Sequence, residues 1–290
     1  MTKTSLITLV GAAALIVAAP AARAQVQQSG DNWSWRGTIA QGKTLEIRGI
    51  SGSIRAEPAS GGTIEVTAVK RGSAGDRADI RIEMVQEDGG VTICAVYSGA
   101  GNDCRSGGGR THAHDNDAYV DFVARVPAGV AFEGAMVSGD VQASGVNGHV
   151  SVTSVSGDVL VRNARAEVAA RSVSGNVTLD GVDGEEVGAS TVSGDVEFTG
   201  PFREGGRYRF GSVSGDLTLR VDGALNATVS VSTVSGELES DFPVTLTRGG
   251  RFASRRFEFT VGGGGTRLTL STVSGAVQLR RGGPAGREEE

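Results

Sequence analysis

Two histidines, His112 and His114, alternate just ahead of Asp115 and Asp117 in the segment His-Ala-His-Asp-Asn-Asp. Imidazoles and carboxylates at that spacing are donors suited to zinc or copper. The same segment follows Gly107-Gly-Gly109, so a solvated polar loop is the simpler expectation. His149 falls in a repeated turn and reads as structural. A second acidic set, Asp140, Asp158, Asp195, Asp216 and Glu237, recurs after a repeated glycine, with Asn176 interrupting it. Stacked carboxylates could hold divalent cations, but Asp after Gly also suits a turn, and the calcium-binding nonapeptide spacing is absent. Turn chemistry is the reading adopted. Gly262 to Gly265 lacks the Lys-Ser/Thr and following helix of a phosphate loop and reads as an inter-strand turn. The serines from Ser138 to Ser274 recur without a partner histidine, so they suit coil-to-coil hydrogen bonding better than nucleophilic catalysis. No catalytic residue, cofactor site or metal site is expected.

The elements that carry these residues are repeats. Val-Ser-Gly occurs at Val137, Val155, Val173, Val192, Val213, Val234 and Val273. The first six glycines, Gly139 to Gly236, are 18 to 21 residues apart, and the last interval, to Gly275, is 39. A fixed period near 20 is the mark of a solenoid whose turns fold only as a stack. In Val150-Ser-Val152-Thr-Ser-Val155-Ser-Gly157-Asp158-Val159-Leu-Val161-Arg-Asn, alternating valines give two half-buried strands, and Ser156-Gly157-Asp158 turns a corner between them. A second turn at Asn163-Ala-Arg-Ala166 leads to the next coil. The expected corner has an inward Val, a Ser bonding to the next coil, and a Gly that bends. Seven or eight coils would stack to roughly 35–40 Å. Within the 39-residue interval, Ala253-Ser254-Arg255-Arg256-Phe257-Glu258-Phe259 aligns with Val234 to Ser240 as a degenerate coil, in steps of 19 and 20, with both Phe inward.

Residues 1–24 have a polar start with Lys3, an apolar run from Leu6 to Ala19, Pro20, and Ala22-Arg23-Ala24. They read as a secretory signal peptide. Removing Lys3 and Arg23 from the 28 bases leaves 26 against 33 acids, a charge of about −7, which argues against nucleic-acid binding. The mature chain offers no further segment apolar enough to cross a membrane. Export would place it in the periplasm or outside the cell. There Cys94 and Cys104, around Ser98-Gly-Ala-Gly-Asn102, read as a disulfide closing a hairpin loop; free thiols or a metal role are the alternatives. Residues 25–130 hold further alternating strands and Ile50-Ser51-Gly52-Ser53-Ile54, an eighth corner, and read as a β cap over the first coil's edge. Cys104 to Ala118 reads as a mobile loop. Residues 131–280 are the solenoid repeats and 281–290 a polar tail.

Trp35-Arg-Gly-Thr-Ile39, Leu45 to Ile54, Val126-Pro-Ala-Gly-Val130 and the Val-Ser-Gly-Asp-Val ladder together resemble the DUF4097 "putative adhesin" β-solenoids. The resemblance covers nearly all the mature chain and implies an exported, all-β, parallel β-helix-like fold. It supplies no catalytic residues. Known β-helix enzymes fit poorly. Val155, Val161 and then Glu167 break the hexapeptide register of acyltransferases, and the short coils leave no room for the clefts of pectinase-like lyases. The expected function is a non-catalytic envelope scaffold or adhesin-like module; a polysaccharide-processing enzyme or a metal-dependent surface protein is the alternative.

Charge is uneven along the solenoid. From Ala131 to Thr199 there are ten acids and three bases; from Gly200 to Arg287 there are seven acids and twelve bases. Expected partners are therefore a surface protein, an anionic glycan docking on the Arg-rich end (Arg248, Arg251, Arg255, Arg256, Arg267, Arg280 and Arg281), or another copy of the chain.

Overall fold

The computed structural model describes residues 25–99, 101–108, 116–243, 247–248 and 255–282. The fold is an all-β solenoid of two facing sheets, mostly parallel, with an antiparallel cap at its N-terminal end. Thr44–Pro58 is the first full level. Its first half pairs with Ala131–Ser138 in the first sheet. It then bends at Gly52, and its second half pairs with Val141–Ser144 in the second sheet. Each later level repeats this course: one strand per sheet, a corner between them, and a second turn back to the first sheet. The cap thus contains a coil of its own, at the eighth corner read from the sequence.

Beyond that first level one more strand in each sheet, Gly90–Tyr97 and Tyr119–Val126, pairs parallel, and the strands outside them are antiparallel. Gly90–Tyr97 and Ile80–Glu87 finish the first sheet. Tyr119–Val126, Ile64–Arg71, Asn32–Gly37 and Gln25–Ser29 finish the second. The outermost strand, Gln25–Ser29, is short and exposed throughout, which makes it a poor template for another chain.

Alternation explains the core. Val150, Val152, Val159 and Val161 are buried, as are Val168, Ala170, Val177 and Leu179 one level on. Each such valine or leucine stabilises by roughly 1.5–3 kcal/mol. Val146, Ala164 and Val182 line the inside of the second turn. Where the repeat lengthens to 21 residues, Phe198, Phe202, Tyr208 and Phe210 fill the wider section, with ring centroids 4.5 to 6.2 Å apart.

The C-terminal end departs from the sequence reading. Thr266–Ser274 lies between Arg207–Ser214 and Ala227–Ser235, parallel to both. Val277–Arg281 likewise lies between Leu217–Val221 and Leu238–Ser240. The last coil in sequence is therefore the second-last in space. The expected degenerate coil is not a coil: Arg255–Val261 runs antiparallel along the outer side of Ala227–Ser235. Gly262 to Gly265 then carries the chain across to the slot between the two earlier levels. Phe259 is buried and Phe257 packs on the core beside it, so these rings close the end of the stack. In space the corner glycines follow the order 52, 139, 157, 175, 194, 215, 275 and 236.

Candidate binding surface

The corner is built from backbone contact. A Cβ on Gly139 would lie 1.7 Å from the carbonyl oxygen of Gly52, and one on Gly215 would lie 1.9 Å from that of Gly194. Only glycine lets one level rest on the next. The residue that bonds across levels is not the Ser of Val-Ser-Gly but the hydroxyl residue two positions before it. Ser154 donates to the Gly139 carbonyl at 2.8 Å, Ser172 to Gly157 at 2.9 Å, Thr191 to Gly175 at 2.8 Å and Ser212 to Gly194 at 3.0 Å.

That arrangement corrects the expected direction of the valine. Strict alternation carries the inward phase from Val152 to Ser154, so Val155 points out and Ser156 is exposed beside it. All seven Val-Ser-Gly valines are 42–48% exposed. Among the described residues, the other exposed large hydrophobics are Val26 and Tyr119. The solenoid's exposed apolar surface is thus one ridge along the corner edge of the first sheet.

Next to the ridge the sheet's outer face is built mostly from small residues. Thr153, Arg171, Ser190, Gly211 and Ser271 share one row, and Ser151, Ala169, Gly188 and Arg209 share the next, so one arginine stands in each row among small residues. A shallow groove of about 350 Å³ runs over Ala169, Gly188, Ser190 and Gly211. The far border is charged. Arg203 holds Asp183 bidentately at 2.7 and 2.6 Å, and Glu186 takes Arg207 at 2.8 Å and Arg209 at 3.5 Å. The Arg207 hydrogen bond holds the Glu186 carboxyl below the usual glutamate range. Tyr208, buried beneath, accepts from the Arg203 amide and donates to the Gly184 carbonyl, and burial pushes its phenol upward. A groove of about 530 Å³ opens along this border, between Arg165, Glu167, Glu185 and Arg207. Sequence reading passed over this border. The 21-residue step was its signal, since the two extra residues make the loop carrying Arg203.

The corner acids serve the turn. Asp140 accepts from the Asp158 amide at 2.9 Å, Asp158 from Asn176 at 2.8 Å, Asn176 from Asp195 at 2.9 Å and Asp195 from Asp216 at 2.8 Å. Asn176 replaces Asp without breaking the series because its side-chain oxygen accepts equally well. His112, His114 and Asp115 lie outside the described residues, and Asp117 is exposed.

Cys94 and Cys104 are disulfide-bonded, with Cα atoms 5.7 Å apart. The segment that follows Cys104 is pinned by buried Glu46, which accepts from the Gly107 amide and from the Thr92 hydroxyl, both at 3.0 Å. Both described ends of the segment expected to be mobile are thus tied down, since Asn116 also donates to the Asp76 carbonyl at 3.0 Å.

The described residues of the Arg-rich end lie on several strands. Arg251 lies outside the described residues, and Arg248 lies opposite Phe257 in the outermost strand pair. Arg255 and Arg256 stand opposite Thr233 and Ser232, near the corner. Arg267 lies beside Arg207 and Thr228, about 17 Å along the strand direction from Arg255. Arg280 bridges Glu239 and Asp241, and the Arg281 guanidinium stacks 4.9 Å over the Phe242 ring.

The family model described as Toastrack DUF4097 matches residues 130–280, just over half of the chain. The chain belongs to the Toastrack DUF4097 family. The matched span begins where the Toastrack repeats do, immediately before Ala131–Ser138, and ends within the intercalated last coil. Similar solved structures include a "putative adhesin" from Bacteroides fragilis NCTC 9343, 12% identical over 87% of this chain and 98% of that one, with a TM-score of 0.41. A "putative cell adhesion protein" from Clostridium sporogenes ATCC 15579 is 9% identical over 86% and 98%, with a TM-score of 0.35. No curated protein matches the chain.

Proposed function

We propose that this Toastrack chain is an exported, non-catalytic, adhesin-like module whose outer face docks a protein partner at the cell envelope. The exposed valine ridge carries the reading. Soluble proteins seldom line up exposed aliphatic side chains without a partner for them, and the core contacts of the fold are made by other residues. The disulfide supports an oxidising destination, the periplasm or the cell exterior, with residues 1–24 as the export signal. An apolar ridge beside small residues suits a protein surface better than a glycan, which would call for exposed aromatic or hydrogen-bonding side chains.

The test compares the mature chain with a Val155→Ser, Val173→Ser, Val213→Ser variant for retention on envelope fractions of cells that produce the protein. Because these side chains face solvent, the variant keeps its far-UV spectrum and melting temperature. Retention falls at least tenfold if the ridge docks. Equal retention by the two chains would sink the reading.

A further inference from the structure

We propose that the partner of this face is a second copy of the same chain, packed on it about a two-fold axis that lies over Gly188, between the facing sheets of the two copies, and runs along the strands; this rests on the docking role given to the ridge above. Among the seven Val-Ser-Gly levels the one ending at Gly194 is central, with three on each side in spatial order. A two-fold there sets each level against its mirror in the count, so the rods lie antiparallel.

The side chains complement one another under that operation. Arg171, one level before the centre, meets Gly211, one level after it, and Arg209 meets Ala169. Glu167 on the charged border meets Arg207 of the other copy, and Glu186 at the axis faces its own copy with its charge already paired to Arg207 and Arg209 of the same chain. Gly188 meets Gly188, and the ridge valines meet each other. Each long side chain on the central floor thus faces a residue with no or little side chain. The acid-rich half of one copy also lies over the base-rich half of the other, which accounts for the uneven charge along the chain.

Gly188 supplies an independent sign. Its φ is ordinary, and a Cβ there would meet nothing closer than the Arg209 carbonyl at 3.9 Å. The fold has no need of glycine at this strand-interior position, where it weakens the strand. Glycine in such a place suits close approach of another backbone. The area is adequate: six steps of about 4.8 Å by a face roughly 18 Å wide give about 500 Å² per copy, or about 1,000 Å² in all, the lower bound for a specific interface.

Sedimentation of the mature chain tests this together with cross-linking by a short bismaleimide, to which the disulfide-bonded native cysteines are inert. The expected result is a reversible dimer in which Val192→Cys, at the axis, cross-links to itself. Val137→Cys links only when mixed with Val234→Cys. Gly188→Arg, which the monomer fold accommodates, weakens dimerisation at least a hundredfold with an unchanged melting transition of the monomer. A chain that stays monomeric at about 100 µM, a Gly188→Arg dimer of undiminished affinity, or self-linking at Val137→Cys would overturn the proposal. A monomer that still binds envelopes through its ridge would overturn only this inference, because the docking reading would survive.

Discussion

Substituting Gly139 by alanine tests the corner directly. Its φ is +140°, and the added Cβ would stand 1.7 Å from the Gly52 carbonyl oxygen. Ordinary contact requires the two levels to separate by more than 1 Å, roughly a quarter of the inter-strand spacing. Separation strains the Ile54 amide bond to the Asp140 carbonyl, now 3.0 Å, and the adjoining ladder bonds between Thr44–Pro58 and Ala131–Ser138, which join these two levels. Each net bond contributes about 1 kcal/mol, and the disfavoured backbone angle costs a further 1–3 kcal/mol or so. Gly139→Ala should therefore destabilise by about 3–5 kcal/mol. Urea denaturation followed by circular dichroism measures this, and the melting temperature should fall by roughly 10 °C. Gly188→Ala is the matched control. With open space within the chain and an ordinary φ, it should be neutral or stabilise the dilute, monomeric chain by up to about 1 kcal/mol. A Gly139→Ala protein within 1 kcal/mol of the wild type, or a Gly188→Ala protein destabilised as much as Gly139→Ala, would refute the stacking argument.

Three further outcomes are expected. Ser172→Ala leaves the Gly157 carbonyl without its side-chain donor and should cost about 1–3 kcal/mol, whereas Ser174→Ala, at the exposed Val-Ser-Gly serine, should change stability by less than about 0.5 kcal/mol; urea midpoints of the pair decide it. The folded-state pKa of Glu186 is lowered, so its contribution is present above the unfolded glutamate value and is lost as pH falls through the folded one. The stability of the wild type should drop more steeply than that of Glu186→Gln below about pH 4.5, as read from urea midpoints between pH 6 and 3. Reducing Cys94–Cys104 should lower stability by roughly 2–3 kcal/mol, seen as a lower melting temperature in reductant.

The solenoid, its two-strand coil and the Cys94–Cys104 pair were legible because each rests on local signals: a glycine period, residue alternation and cysteine spacing. The direction of the valines was legible in principle. Alternation runs from Val150 through Val152 to Ser154, but a valine was assumed to be buried and a serine exposed. The error lies in treating hydrophobicity as stronger evidence than phase. Ser154 and its equivalents go inward because a carbonyl of the neighbouring level awaits their hydroxyls. The C-terminal order was not legible. Thr266–Ser274 pairs in parallel with two strands distant in sequence, and no residue type records such non-local pairing. Arg255-Arg256 misled for a related reason, since similarity to Val-Ser-Gly-Glu concealed a strand running the other way. The charged border escaped notice because Glu186 and Arg207 are 21 residues apart and meet only through the coil period.

The central claim is that the valines of the Val-Ser-Gly corners form an outward ridge that a partner covers. Thiol-labelling rates of Val192→Cys, with Thr218→Cys on the opposite sheet as reference, test it most directly when measured for the dilute chain and for the chain bound to envelope fractions. The account predicts labelling of Val192→Cys at close to the unfolded rate when the chain is free and at least tenfold protection on binding, while Thr218→Cys labels equally in both states. Slow labelling of Val192→Cys in the free chain, or equal rates at that site free and bound, would contradict it.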